Sequence, residues 1–103
     1  MDEALQQRIE NDIKNNKIML YMKGTPAEPQ CGFSAQVINV LNSYEVPFQS
    51  FNILEDEEVR QGIKEYSDWP TIPQLYVDGE FIGGCDIISE LHANSELGDV
   101  LGK

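Results

Sequence analysis

The reactive chemistry of this chain is concentrated on sulfur. Cys31 lies in Pro29-Gln30-Cys31-Gly32-Phe33-Ser34-Ala35. An apolar run, Ile18 to Met22, precedes it and reads as a buried strand; a helical pattern follows, with Phe33, Val37, Val40, Leu41 and Tyr44 spaced for one face. Cys31 therefore falls where a strand and its loop feed the first turn of a helix. A thiol placed there meets unpaired backbone N–H groups and the positive end of the helix dipole. Both favour the thiolate, the form that attacks disulfides and binds metal. Ser34 stands where a Cys-x-x-Cys pair would carry its second cysteine. A hydroxyl cannot close an internal disulfide, so any redox cycle at Cys31 must run through an external thiol.

Glutathione is the obvious external thiol, and its two carboxylates require cations. The chain has seven: Arg8, Lys14, Lys17, Lys23, Arg60, Lys64 and Lys103. Lys23 directly follows the first strand, so it emerges at the same end of the sheet as Cys31. Arg60 and Lys64 are one turn apart on a helix and share a face; the ordinary reading of such a pair is solvated surface charge. His92 is the only histidine and reads as a surface residue. Glu55-Asp56-Glu57-Glu58 has no turn glycine among its carboxylates, so it reads as helix-start charge rather than a divalent-metal loop. Trp69, before Pro70, either walls the site or packs into the core.

The elements that must position these residues follow in order. Leu5, Ile9 and Ile13 recur every fourth residue, which predicts an amphipathic helix ending near Asn15-Asn16. After the strand at Ile18 to Met22, two prolines and a glycine stiffen the loop from Lys23 to Pro29. The second helix is predicted from Cys31 to Tyr44. A second strand is predicted over Phe48 to Ile53, with Phe51 and Ile53 on one face. The acidic run opens a third helix that turns Val59, Ile63 and Tyr66 inward. Gln74–Val77 and Glu80–Gly83 flank Asp78-Gly79, a two-residue hairpin signal. Gly83-Gly84-Cys85-Asp86 leads into a helix carrying Ile87, Ile88 and Leu91, and a last helix is predicted over Ser95 to Leu101. The order α-β-α-β-α-β-β-α-α implies a parallel β-α-β unit followed by an antiparallel pair, a mixed sheet with helices on both faces.

Bulk composition bounds the function. One hundred and three residues make one small domain, and 41% apolar residues suffice for a core. A net charge of −11 argues against nucleic acid or an anionic membrane as the main partner. The acidic opening Met1-Asp2-Glu3 is not a signal-peptide start, and two cysteines do not make a disulfide framework. A reducing compartment fits best.

Several of these stretches together resemble a thioredoxin-fold glutaredoxin. Cys31-Gly32-Phe33-Ser34 matches the signature of the monothiol, or CGFS-type, glutaredoxins. Lys23-Gly24, Trp69-Pro70-Thr71-Ile72-Pro73-Gln74 and Gly83-Gly84-Cys85-Asp86 fall in the family's order and spacing. The resemblance runs from Leu5 to Leu101, treats residues 1–103 as a single glutaredoxin domain, and is nearest to the short single-domain class. It implies a four-stranded mixed sheet with helices on both faces, and a cis peptide bond before Pro73. It assigns glutathione binding to Lys23, Arg60, Ile72, Cys85 and Asp86, with Lys64 as an addition. Ile72 would act through its backbone, and Cys85 and Asp86 through N–H groups at a helix start.

The function implied by the resemblance is iron–sulfur cluster carriage. Two chains would each give Cys31 as the metal ligand, two glutathiones would give the other sulfurs of a 2Fe–2S cluster, and the homodimer would pass it to acceptor proteins or hold it with a BolA-like protein. Cys85 then reads as a spectator near the glutathione, with a disulfide to Cys31 as the alternative. Two other functions compete. One is a glutathione-dependent oxidoreductase that removes glutathione from protein mixed disulfides, slowed by the extra residues Thr25 to Gln30. The other is an interaction module that keeps only the fold. The expected compartment is the cytoplasm of a bacterium or an organelle matrix.

Overall fold

β1 (Ile18–Met22) runs through the interior of a four-stranded sheet, and all five of its residues are buried. In this computed structural model, which describes residues 1–103, the strand order is β2-β1-β3-β4, with β2 at Gln49–Asn52, β3 at Gln74–Val77 and β4 at Glu80–Gly83. β1 is parallel to β2 and antiparallel to β3, and β3 is antiparallel to β4. A parallel pair needs a crossover, supplied here by α2 (Gly32–Ser43).

Pleating divides the core in two. Ile18, Leu20 and Met22 turn to one face, where α2, α4 (Cys85–Ala93) and α5 (Leu97–Leu101) cover them. Met19 and Tyr21 turn to the other, beneath α1 (Glu3–Asn15) and α3 (Glu57–Ser67). A strand covered on both sides has no solvent face to mark with polar residues, which is why Ile18–Met22 reads as an unbroken apolar run.

Local chemistry sets the element ends. The Asp2 carboxylate accepts the Leu5 N–H at 2.7 Å and starts α1. Asp56 does the same for α3, accepting the Val59 N–H at 3.1 Å, and also binds Arg8 at 3.0 Å. The Val59 N–H foremost, with Arg8 behind it, holds the Asp56 carboxyl below the ordinary carboxylate range. Asp78 and Gly79 both have positive φ, 52° and 83°, as a two-residue hairpin turn requires.

Four boundaries differ from the sequence expectations. Cys31 precedes α2 as its N-cap, in an extended conformation, rather than opening the helix. Phe33 is 61% exposed and not on the inward face, because the first turn of α2 lies at the rim of the sheet. β2 is shorter than Phe48 to Ile53: Ile53 leaves it for a 3-10 turn over Ile53–Glu55, where the Asn52 side chain accepts the Leu54 N–H. The Ile53 side chain still reaches the same core cluster that Phe51 packs against. Glu55 therefore lies outside α3, and Asp56 is its cap rather than part of its first turn. Ser95 has a φ of 61° and is excluded from the last helix, which begins at Leu97. The Ile72–Pro73 bond is cis, as the resemblance implies. No helix is long and apolar enough to cross a membrane.

Gly79 and Gly83 give a paired test of this backbone. Both have φ between +20° and +160°, but a Cβ at Gly79 meets nothing within 4 Å, whereas one at Gly83 would lie 2.8 Å from Ile87 Cβ. Gly79→Ala is expected to cost about 1 kcal/mol from backbone strain alone, and Gly83→Ala about 3 kcal/mol or more. Urea midpoints of the two variants check this, and equal losses would refute the close packing of α4 on β4.

Candidate functional site

Cys31 sits at the end of the loop that leaves β1, with φ −151° and ψ 138°, as the last extended residue before α2. Its thiol is partly exposed, and neither cysteine is in a disulfide. No cap hydrogen bond closes on its side chain. The amide dipoles of the first turn nevertheless act on the sulfur. The Ser34 N–H does most to lower the thiol pKa; the loss of hydration opposes it, and the Phe33 N–H, the Lys23 charge and the Ser34 hydroxyl add to the lowering.

The loop before Cys31 is tied at both ends. The Lys23 N–H donates to the Ser34 hydroxyl at 3.1 Å, and Ser34 is fully buried. The Gln30 N–H donates to the Lys23 carbonyl at 2.9 Å. The Gly24 N–H donates to Asn52 Oδ1 at 2.9 Å, the same oxygen that takes the Leu54 N–H. Between these anchors Thr25 and Glu28 exchange backbone hydrogen bonds of 3.2 and 3.1 Å. Thr25 to Glu28 therefore form a closed turn within this loop.

A cavity of about 420 Å³ opens next to Cys31. Lys23, Arg60, Ile72, Cys85 and Asp86 all line it, so the structure brings every sequence-predicted site residue to one place. Lys64 and Trp69 line it too, and the latter packs against Phe81 with ring centroids 5.8 Å apart. Trp69 thus both walls the cavity and packs. Three of the seven cations face this one opening. Arg60 is only loosely held, 3.6 Å from Glu57, and its Nε is buried without a partner.

Another stretch of the wall is the segment from Trp69 to Pro73. Ile72 is 7% exposed, and neither its backbone N–H nor its C=O meets a partner within the protein. An open donor–acceptor pair just before a strand is what a ligand's peptide backbone can add to. Beyond it, α4 begins with Cys85 and Asp86, whose first-turn N–H groups have no intrahelical acceptor. Cys85 is 8% exposed, with its sulfur 4.0 Å from the Ser89 hydroxyl, so it forms wall rather than rim. His92 lies elsewhere, bonded through Nδ1 to the Tyr44 hydroxyl at 2.8 Å.

Sequence reasoning missed the residues that hold the site without facing it. Asn52 and Gln74 fix the loops that flank it, and Ser34, besides lacking a thiol, ties the end of β1 to α2. The signal for Gln74 was present: a polar residue in a strand that is otherwise Leu75, Tyr76 and Val77.

Comparison with known proteins agrees with this geometry. The glutaredoxin family profile matches residues 18–82. An uncharacterized monothiol glutaredoxin of Synechocystis, ycf64-like, is 52% identical over 98% of this chain and 94% of its own length. The mitochondrial monothiol glutaredoxin S15 of Arabidopsis thaliana is 52% identical over 92% of this chain, which spans just over half of it, 56%. Reduced apo GrxS14 of poplar, solved in solution, superposes with a TM-score of 0.81 at 53% identity, covering 92% of this chain and 87% of that one. The profile match begins with β1 and ends within β4, and the two sequence relatives are monothiol proteins: the chain belongs to the glutaredoxin family, among its monothiol members.

Proposed function

We propose that this single domain carries iron–sulfur clusters, holding a 2Fe–2S cluster between two copies through two Cys31 thiolates and two glutathiones. The observation that carries the reading is Cys31 itself: an accessible, thiolate-favouring sulfur whose would-be resolving partner, Ser34, is a buried hydroxyl bound to Lys23. Such a cluster takes four thiolate-type ligands. Each chain offers one accessible cysteine, so the remaining sulfurs come from a second chain and from a small thiol. Phe33 and Trp69, 61% and 36% exposed beside the cavity, are apolar surface that a second copy or an acceptor would cover.

Glutathione fits the cavity by charge and shape. Its carboxylates match Lys23, Arg60 and Lys64 on one side and the α4 N–H groups at Cys85 and Asp86 on the other. Its extended backbone matches the open pair on Ile72. A volume of about 420 Å³ suits a tripeptide. The cluster is cargo, handed to acceptor proteins or held with a BolA-like protein. The setting is the cytoplasm of a bacterium or an organelle matrix.

The second reading, glutathione-dependent deglutathionylation, rests on the same lowered thiol pKa. Cys31 thiolate attacks the glutathione sulfur of a mixed disulfide, and the protein thiolate leaves. A second glutathione thiolate then attacks the Cys31–glutathione disulfide, releasing oxidised glutathione and restoring Cys31. The residues Thr25 to Gln30 ahead of the sulfur, tied by the Thr25–Glu28 hydrogen bonds, resemble the insertion that goes with slow turnover among glutaredoxins.

Four measurements test these readings. Anaerobic reconstitution with iron, sulfide and glutathione should give a coloured dimer that Cys31→Ser abolishes; a colourless wild-type monomer would end the carrier proposal. Turnover on a glutathionylated peptide should fall well below that of a dithiol glutaredoxin, and equal turnover would promote the enzyme reading. The rate of Cys31 alkylation against pH should half-rise below the free-thiol value of about 8.5, because a lowered pKa leaves more thiolate at neutral pH. Arg60→Ala should leave that profile in place while weakening glutathione binding about ten-fold; a half-rise at or above the free-thiol value would remove the activated sulfur on which both readings depend.

A further inference from the structure

Binding glutathione through Ile72 requires a wall that presents one open donor–acceptor pair at one place. We infer that Gln74, itself held by Tyr76, is the positioning residue that creates this single opening. The inference rests on the glutathione reading and concerns how the site selects a register for its ligand.

Gln74 is fully buried on β3, where an amide is costly unless its hydrogen-bonding groups are used. They are used. Its Nε2 donates to the Trp69 carbonyl at 3.1 Å and to the Thr71 carbonyl at 3.2 Å. Its Oε1 accepts the Tyr76 hydroxyl at 3.0 Å. A flipped amide would set its oxygen against two carbonyls, so the two loop carbonyls fix the orientation and the Tyr76 hydroxyl satisfies the oxygen.

The consequence appears along the cavity wall. The Trp69 N–H is taken by the Lys64 carbonyl and the Ser67 hydroxyl, and its C=O by Gln74. Pro70 and Pro73 have no N–H. The Thr71 carbonyl belongs to Gln74. Ile72 alone in this segment keeps both its N–H and its C=O open. By removing the Thr71 carbonyl from competition, Gln74 leaves an extended ligand one residue to pair with. By holding the Trp69 carbonyl, it also places the indole that walls the same cavity.

A purely structural glutamine would weaken the fold and nothing else, so the test separates the two roles. Gln74→Met keeps the length and loses every hydrogen bond; Tyr76→Phe removes only the hydroxyl that anchors the amide oxygen. Titration with reduced glutathione should show affinity falling about ten-fold in Gln74→Met and two- to three-fold in Tyr76→Phe. Without ligand, acrylamide should quench Trp69, the only tryptophan, more strongly in both. The alkylation profile of Cys31 should not move. Leu101→Ala, on the buried face of α5 and away from the cavity, provides a fold-weakened control that should bind as the wild type does.

A folded Gln74→Met that bound glutathione within two-fold of wild type, with unchanged quenching, would overturn the inference. So would a Leu101→Ala control that lost affinity as far as Gln74→Met. Should Gln74→Met fail to fold, Tyr76→Phe decides alone, and wild-type affinity with wild-type quenching in that variant refutes the role. Wild-type protein that bound no glutathione would instead overturn the glutathione reading itself, an outcome distinct from normal wild-type binding that the variants leave unchanged.

Discussion

The hydrogen bond from the Lys23 N–H to the buried Ser34 hydroxyl, 3.1 Å long, joins the exit of β1 to the first turn of α2. Everything reactive in the molecule is arranged around that join. It fixes where the chain leaves the sheet, and with it the base of the Lys23 side chain and the two ends of the loop that delivers Cys31. A sulfur in place of this oxygen would be larger and a weaker acceptor. The residue that withholds a resolving thiol is therefore also the residue that ties strand to helix. Loss of the dithiol reaction and the shape of the site are two aspects of one side chain.

Charge is distributed to the same end. With eighteen acidic residues against seven basic, the protein as a whole repels an anionic ligand at long range. In the cavity lining the balance reverses, because Lys23, Arg60 and Lys64 stand there against one acid, Asp86. Two helix starts reinforce them: the first turn of α2 acts on the Cys31 sulfur, and the first turn of α4 stands across the cavity at Cys85 and Asp86. The Arg60 Nε, buried without a partner, is unmet donor capacity at this positive focus. Arg8, by contrast, is engaged with Asp56 at 3.0 Å and lies over the Phe51 ring, so it serves the packing of α1 and α3.

Much of this was legible in the residues, and the limits have physical causes. The unbroken apolar run of β1, the Asp78-Gly79 turn and the spacing of Arg60 and Lys64 each have a short-range signature, and each lies where expected. Phe33 failed because helical periodicity says which residues share a face, not how far that face extends under the sheet. The start of α3 failed because four acidic residues in a row favour a first turn equally well in several registers; only the side-chain bond from Asp56 to the Val59 N–H selects one. Asn52 and Gln74 were silent for a different reason. Their partners are backbone groups in loops whose paths exist only after folding, so type and spacing alone could not pair them.

The two cysteines show how position decides chemistry between identical side chains. Both stand at a helix start beside the same cavity. Cys31 is an N-cap at the end of an extended loop, so its sulfur projects from the rim and stays partly exposed. Cys85 is the first helical residue after a buried glycine, and its side chain packs into the core beneath α4 at 8% exposure. A sulfur shared between two molecules must reach past the surface of its own chain. Cys31 satisfies that requirement and Cys85 does not, whatever their intrinsic acidities. One outward sulfur per chain, beside a cavity lined by three cations, is the geometric ground on which the proposed shared site rests.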